Sequence, residues 1–235
     1  TPSLGTFPGG FQALADRISQ KIIESGGKIH LNVKADLNSL ENKFDAVLST
    51  TPQFAIRPPA WTSSMRSRAG NSQFATRYLD AHVLFLELNQ PFLSPDIYWL
   101  NILDRDFPFL VVCEHTNFAG IENFGGKHLL YVGNYLPKNH RLFGLTPEQI
   151  LREFLPWLSK INPKFSRKNI DKYYVFHGQN AQPVMTVNYS RQIPPIKVKD
   201  KFYAINQAMI YPWDRGINYA VELGERAARE ILGNG

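Results

Sequence analysis

The stretch YPWDRGINYAVELGERAAREILG, residues 211–233, runs from an aromatic-proline turn into a helix whose first turn carries little bulk. From Asn218 onward, Ala220, Val221, Leu223, Ala227, Ala228, Ile231 and Leu232 recur at helical spacing and make one broad apolar face. Ala220, Gly224 and Ala227 follow at i, i+4 and i+7, a small-residue stripe that lets a sheet or a flat ligand come close. Gly224 sits mid-helix, where glycine is worse than alanine by about 1 kcal/mol. Packing against a sheet accounts for the stripe. It does not account for the entrance Asp214-Arg215-Gly216, a polar turn that opens straight into the helix. A helix N-terminus carries free N–H groups and the positive end of the helix dipole, so it receives anions.

Working outward, residues 202–206 read as a short strand feeding this turn. At the other end, Phe7-Pro8-Gly9-Gly10-Phe11 is a turn, and Phe11, Leu14, Ala15, Ile18, Ile22 and Ile23 predict a helix over residues 11–25. Gly26-Gly27 stops it. Residues 28–33 alternate as a short strand, and residues 44–49 form a second strand ended by Thr50-Thr51-Pro52. The segment between is richer in aromatics. It reads as strands over residues 78–89, 96–103, 109–116, 128–135 and 170–177, the pattern of an antiparallel sheet. Thr146 as N-cap, Pro147 at the first helical position and Glu148 predict a helix running to about Lys160.

Composition bounds the function. The chain has 235 residues, 43% hydrophobic and 20% charged, enough apolar content for a core. Lys and Arg number 26 against 20 Asp and Glu, a net charge of +6 with pI near 9.4. Cys113 is the only cysteine, which excludes an internal disulfide and a cysteine-based zinc site. His30, His82, His115, His128, His140 and His177 show no metal-ligand spacing and read as surface or core-edge residues, so no metal is expected. No Gly-x-Ser-x-Gly elbow and no phosphate-binding loop occurs, and no apolar run approaches the roughly 20 residues of a membrane span. Residues 138–172 hold eight Lys/Arg and three Asp/Glu among Phe143, Phe154, Trp157 and Phe165. That interleaving can bind single-stranded nucleic acid. An amphipathic helix with Leu151, Phe154, Leu155 and Leu158 inward explains it as well, and no nucleic acid is expected. The first residues lack an initiator Met and a signal-peptide pattern, so the chain reads as an excised cytoplasmic segment, with membrane association left open.

The terminal stretch resembles the C-terminal flavin-binding segment of the flavin amine oxidase and protoporphyrinogen oxidase superfamily, through Ala220-Val221-Glu222 and Gly224-Glu225-Arg226-Ala227-Ala228. Residues 7–35, FPGGFQALADRISQKIIESGGKIHLNVKA, resemble that family's Pro-x-Gly-Gly motif, helix and strand. FDAVLSTTP, residues 44–52, resembles its Asp-x-Val-x-Ser-Thr-x-Pro strand and loop, and EHTNF (114–118) and AQPVMTVNY (181–189) look like the protoporphyrinogen oxidase-like branch. The family's Gly-x-Gly-x-x-Gly Rossmann segment is absent from this chain.

The resemblance implies an α+β chain cut from an α/β parent. Residues 1–52 and 200–235 would form part of a FAD-binding domain, and residues 53–199 a substrate domain, an antiparallel sheet with helices. It implies non-covalent FAD, held jointly with the Rossmann segment. Val33 would meet the adenine, and Thr50, Thr51 and Pro52 would line the dinucleotide. Trp213, Asp214, Arg215, Gly216, Ile217 and Asn218 would form the turn beside the flavin ring, with amides of Gly216, Ile217 and Asn218 on its N1–C2=O2 edge. The family's amine oxidases place a Tyr at the position of Gly216, as half of an aromatic cage. Trp213 is kept, but glycine leaves the cage incomplete, which argues against simple amine oxidation. Of the aromatics Tyr78, Phe85, Tyr98, Trp99, Tyr131, Tyr135 and Tyr189, most read as core, with Trp99 and Tyr189 as substrate candidates; no catalytic residue stands out. The implied activity is hydride transfer from an organic substrate to flavin, with a large or aromatic small molecule as partner. Alternatives are a flavin-dependent sugar isomerase of the UDP-galactopyranose mutase kind, or a non-catalytic module that binds through its basic face.

Overall fold

The computed structural model describes residues 5–51 and 76–233. Pro52 and the expected boundary at 52/53 lie at or beside residues outside that set. Contacts divide the chain into two compact units, Thr1–Val33 with Leu79–Ala181, and Lys34–Tyr78 with Gln182–Gly235.

The first unit is built on a five-stranded sheet. Its strands are β2 (Tyr78–Leu88), β3 (Trp99–Asn101), β4 (Val111–Glu114), β5 (His128–Leu136) and β6 (Ile170–Pro183), in the order β3-β4-β5-β2-β6. The outer ends of β2 and β6 already belong to the second unit. β2 and β5 run antiparallel, with Leu84 opposite Val132 and Phe85 opposite Tyr131. Burial alternates strictly along β2, as the period of two requires. Leu84, Leu86 and Leu88 face inward with Val112, Leu130, Val132 and Leu136. They meet α4 (Pro147–Ile161), whose buried stripe is Ile150, Leu151, Phe154 and Leu158. The cap of α4 is the expected one: Gln149 N donates to Thr146 Oγ1 at 3.3 Å and Thr146 N donates to Gln149 Oε1 at 2.8 Å, a reciprocal capping box. A short α3 (Thr116–Ala119) follows β4.

His82 shares the inward parity of the leucines. It is 1% exposed, neither ring nitrogen has a partner among the described residues, and its ring lies 5.7 Å from Phe143 and 6.1 Å from Phe154. It is thus a core residue rather than the surface or core-edge residue expected. Burial holds its pKa below the ordinary value, with the charges of His177 and His140 adding to the effect and Glu153 opposing it. The folded pKa lies below the unfolded one. Above about pH 6.5 neither state binds this proton and the stability is complete. As pH falls from there towards the depressed folded value, the unfolded chain takes up the proton first and stability declines. The slope is at most about 1.4 kcal/mol per pH unit for one proton. Urea melts from pH 7.5 to 5 should therefore show a smaller loss for His82→Phe than for the wild type; equal losses would remove His82 from the account.

Residues 7–33 depart from expectation in one respect. The helix is present as α1 (Gly10–Glu24), entered through Gly9 in the left-handed region at φ 84° and closed at Ser25. Its apolar stripe is bare, with Phe11 60%, Ile18 51% and Ile23 60% exposed. The strand expected at residues 28–33 does not form: the segment is irregular, with Leu31 79% and Val33 69% exposed. A strand is held by its ladder partner, and none of the described residues pairs with this one.

The second unit carries a three-stranded sheet in the order β1-β8-β7, from β1 (Val47–Ser49), β7 (Lys197–Lys199) and β8 (Phe202–Ala204). β1 runs parallel to β8, with Ser49 opposite Ala204; β7 runs antiparallel to β8. All three residues of β8 are buried, the mark of a strand covered on both faces. On one side Val47, Phe202 and Ala204 pack with Leu40 from α2 (Leu37–Glu41). On the other, Tyr203 and Ile205 pack with Met209, Ile210 and residues Leu223 and Ala227 of α5 (Ile217–Ile231). The contact row of α5 is Tyr219, Leu223, Ala227 and Ile231, narrower than the broad face expected. A Cβ at Gly224 would have nothing within 4 Å among the described residues. The proposed close approach of the sheet at Gly224 is therefore not found. Gly224→Ala should raise the stability of the chain by up to about 1 kcal/mol through helix propensity alone; a loss in a urea melt would show that something outside the described residues presses on this site.

Candidate functional site

In the second unit, two strand ends lie side by side, and the same unit carries the start of α5. β1 and β8 are parallel, so Ser49 and Ala204 end side by side, and Ile205 N donates to the Ser49 carbonyl at 2.9 Å. Thr50 and Thr51 follow β1, both exposed, and Thr51 Oγ1 is 3.0 Å from Ser49 Oγ. Parallel α/β sheets bind their ligands beyond the carboxyl ends of the strands. Past β8 the chain turns at Asn206, whose Oδ1 accepts from Ala208 N at 2.9 Å. It then passes through Tyr211 to the polar turn and α5.

The turn is organised by its own polar groups. Asp214 Oδ1 accepts from Arg215 N at 2.8 Å, and Gly216 N donates to the Asp214 carbonyl at 2.9 Å. The Arg215 guanidinium donates to Gln182 Oε1. Trp213 stacks on Tyr219 of the first helical turn, with centroids 5.8 Å apart and planes within 3°. Gly216 is the N-cap, in extended backbone at φ −88° and ψ 157°, with no side-chain cap and no acidic residue in the first turn. The first amides of a helix have no partner inside it, and the carboxylate of the turn, Asp214, is engaged with the Arg215 amide. The unit offers amides at the start of α5, the Thr50 and Thr51 hydroxyls, which donate and accept, and the Asn206 side-chain amide. That set suits an oxygen-rich or anionic ligand.

Of the sequence-predicted residues, Thr50 and Thr51 lie at the end of β1, and Trp213, Asp214, Arg215, Gly216, Ile217 and Asn218 form the α5 entrance; all belong to the second unit. Val33 belongs to the first unit, in irregular exposed chain. Pro52 lies outside the described residues. Tyr189 is 3% exposed, its hydroxyl donates to the Ala208 carbonyl at 2.9 Å, and its ring is 5.6 Å from Tyr211.

The first unit offers a second surface, on the sheet face opposite α4. The register places Trp99 opposite Cys113, Cys113 opposite Tyr131, and Tyr131 opposite Phe85. This makes one row across four strands. Phe85 packs 4.8 Å from Tyr131, 6.1 Å from Tyr174 and 6.4 Å from Phe176. Trp99, Tyr174 and Phe176 are 50%, 43% and 56% exposed. Large exposed apolar patches of this kind are uncommon on surfaces that bind nothing. Tyr131 and Tyr135 thus lie on this open face and not in the core. Burial pushes the Cys113 thiol up to about 11, with Glu114 adding to it, so it stays protonated and is no nucleophile at neutral pH. Among the described residues there is no cluster fit to hold a metal ion and no helix long and apolar enough to cross a membrane.

Solved structures share this fold. An oxidoreductase from Methanosarcina mazei aligns at TM-score 0.62 and 15% identity, over 94% of this chain and 54% of that one. Reduced UDP-galactopyranose mutase aligns at 0.60 and 12%, over 82% and 42%. A protein assigned as a protoporphyrinogen oxidase, from Exiguobacterium sp. 255-15, aligns at 0.53 and 12%, over 80% and 41%. The chain spans about half or less of the length of each. No curated protein matches. The class is thus the α+β fold that these structures share. Residues 3–232 match the family of flavin containing amine oxidoreductases, and the chain belongs to that family.

Proposed function

We propose that the chain supplies the flavin-ring end of a non-covalent FAD site, and a substrate surface, to an oxidoreductase that takes a hydride from an organic molecule. The observation that carries this is the start of α5, with no side-chain cap and no acidic residue in its first turn, in a unit whose parallel strands β1 and β8 end side by side, found in a family that contains flavin. The second unit is read as the cofactor side and the aromatic face of the first unit as the substrate side.

When bound, the flavin supplies the ring that accepts the hydride. The chain's own residues bind and orient. Amides of Ile217 and Asn218, with the dipole of α5, offer hydrogen bonds and positive potential to charge that grows on the ring edge. Gln182 holds Arg215, and Asp214 holds the turn, so that these amides are set before a ligand arrives. The row Trp99, Tyr131 and Phe85 excludes water from an apolar substrate. Gly216 offers no ring for an amine cage, which favours a substrate other than a simple amine. The chain has no Gly-x-Gly-x-x-Gly turn. On this reading, residues outside it hold the pyrophosphate, and the 235 residues alone bind FAD weakly and are inactive. A cytoplasmic site of action is compatible with this.

The test is a visible spectrum of the full-length protein after FAD addition and gel filtration. Flavin bands that co-elute with protein support the reading; colourless protein sinks it. The similarity to UDP-galactopyranose mutase favours one second reading, a sugar isomerase with no net redox. Turnover that survives removal of every electron acceptor would select it.

A further inference from the structure

We propose that residues 137–145 form an acid-opened clasp on the first unit, held shut by the neutral forms of His82 and His140; this stands apart from the flavin reading. The clasp is the short helix Arg141–Gly144 with its flanks, between β5 and α4. Leu142 is buried in the core of the unit, and Phe143 and Leu145 pack against that core. His140 caps the short helix with a ring nitrogen: Leu142 N donates to His140 Nδ1 at 3.3 Å. A protonated Nδ1 carries a hydrogen and accepts nothing, so this cap exists only while the nitrogen is bare. Phe143 of the same helix meets two other imidazoles, stacked 4.1 Å from His177 and tilted 5.7 Å from His82. Both nitrogens of His82 are buried without a partner among the described residues. A charged imidazole has two N–H donors to place, and burying it with neither placed is costly. Two histidines thus require the neutral state, and both bear on one four-residue helix.

The acidic groups around His82 are already committed. On β2 itself, Asp80 accepts from Asn180 N at 2.7 Å and pairs with His177 of β6 at 3.0 Å. On α4, Glu153 holds Arg141 of the clasp through both oxygens, at 2.8 and 2.5 Å. The other charges on this side are positive: Lys138 and His140 on the clasp, and His177 on β6. His177 and His140 oppose a charge on His82, and Glu153 alone favours it. Protonation of His177 strengthens its pair with Asp80, but that pair joins β2 to β6 and does not hold the clasp. Opening lets water reach His82 and releases His140 Nδ1, and exposed histidines take up protons below about pH 6.5. The open form therefore binds more protons than the shut one. The clasp stays shut at and above neutrality and loosens as the pH falls towards 5. Each proton bound only in the open form raises the open fraction by up to about tenfold per pH unit.

The test is residue-resolved hydrogen exchange on the full-length protein between pH 7.5 and 5, each rate divided by that of an unstructured chain at the same pH. The readout is the protection of the Leu142, Phe143 and Leu145 amides relative to the amides of β5. We expect this ratio to fall at least about tenfold in the wild type. His140→Asn keeps an acceptor at the cap that does not titrate, and His82→Phe removes the buried proton site. Each should shrink the fall by at least about threefold, and the double variant should hold the ratio within about twofold. A wild-type ratio that does not change with pH overturns the proposal, whether both segments stay protected or β5 opens with the clasp in acid unfolding of the whole unit. A fall in the double variant as large as the wild type's overturns it too. His140 is only half-buried, so His140→Asn serves alone where His82→Phe fails to fold; a fall equal to the wild type's in that variant then decides against the clasp.

Discussion

Replacing Glu114 with alanine is expected to destabilise the first unit by about 3–5 kcal/mol, while Glu114→Gln recovers most of the loss. Glu114 ends β4 with the inward parity of Val112 and is fully buried. One carboxylate oxygen accepts from Phe92 N at 3.0 Å and Leu93 N at 2.5 Å, and the other lies 3.1 Å from His128 Nδ1. The Phe92 carbonyl accepts from Asn162 Nδ2 at 2.8 Å, just past the end of α4, and its ring meets Phe165 edge-on at 4.9 Å. The carboxylate therefore joins the β4 end to a buried loop that α4 also grips. Alanine would strand two buried amides and open a hole. Glutamine keeps an oxygen for both amides and turns its NH₂ group towards His128. Burial pushes the Glu114 carboxyl above its ordinary pKa, against the two amides and His128, which favour the charge. The carboxylate thus does its work uncomfortably, and glutamine removes that discomfort. Urea midpoints at constant m would measure the effect. A loss below about 1 kcal/mol for Glu114→Ala would show that the loop rearranges without its anchor.

What the sequence made legible was local. Thr146, Pro147 and Glu148 mark a helix start from three consecutive residues, and the helix begins there, with a capping box to Gln149 that this reading does not name. The alternation along β2 fixes its inner and outer faces without a partner strand. That parity also contained what was overlooked: His82 stands in register with Leu84, Leu86 and Leu88, and counting by twos would have buried it. Other features need the tertiary fold. Residues 28–33 alternate like a strand, but a ladder partner decides whether one forms. Cys113 and Tyr131 are neighbours only through the β4–β5 register. The small stripe on α5 suggested close packing at Gly224, where no described residue comes within 4 Å of a Cβ; helix spacing tells which residues share a face but not what faces them.

The sharpest functional prediction concerns Gly216, where stability and ligand binding should move apart. Its backbone is extended, so any residue can adopt it. A Cβ there would press on Asn218 Oδ1, the end of an exposed side chain that can rotate away, and would next meet Tyr219 Cδ2 at 3.6 Å. Gly216→Trp should therefore leave the fold intact, with a melting temperature within a few degrees of the wild type. Bulk at the entrance would still keep a ligand off the α5 amides, and FAD affinity should fall about tenfold to a hundredfold, the loss of roughly 1.4–2.7 kcal/mol of contact. Gly216→Asp separates the effects further. An aspartate at an N-cap accepts from the free amides and complements the dipole. It should stabilise the protein without FAD by a few tenths to about 1 kcal/mol. The same carboxylate would occupy the amides and repel an anionic ligand, so FAD affinity should fall as stability rises. Both quantities come from one set of melts with and without FAD. Unchanged FAD affinity in both variants would show that the turn faces something other than the flavin. A joint fall of stability and affinity in Gly216→Asp would show that the α5 start is structural. Opposite signs are what a helix end reserved for a ligand requires, because the groups that would best satisfy the helix are those that would close the site.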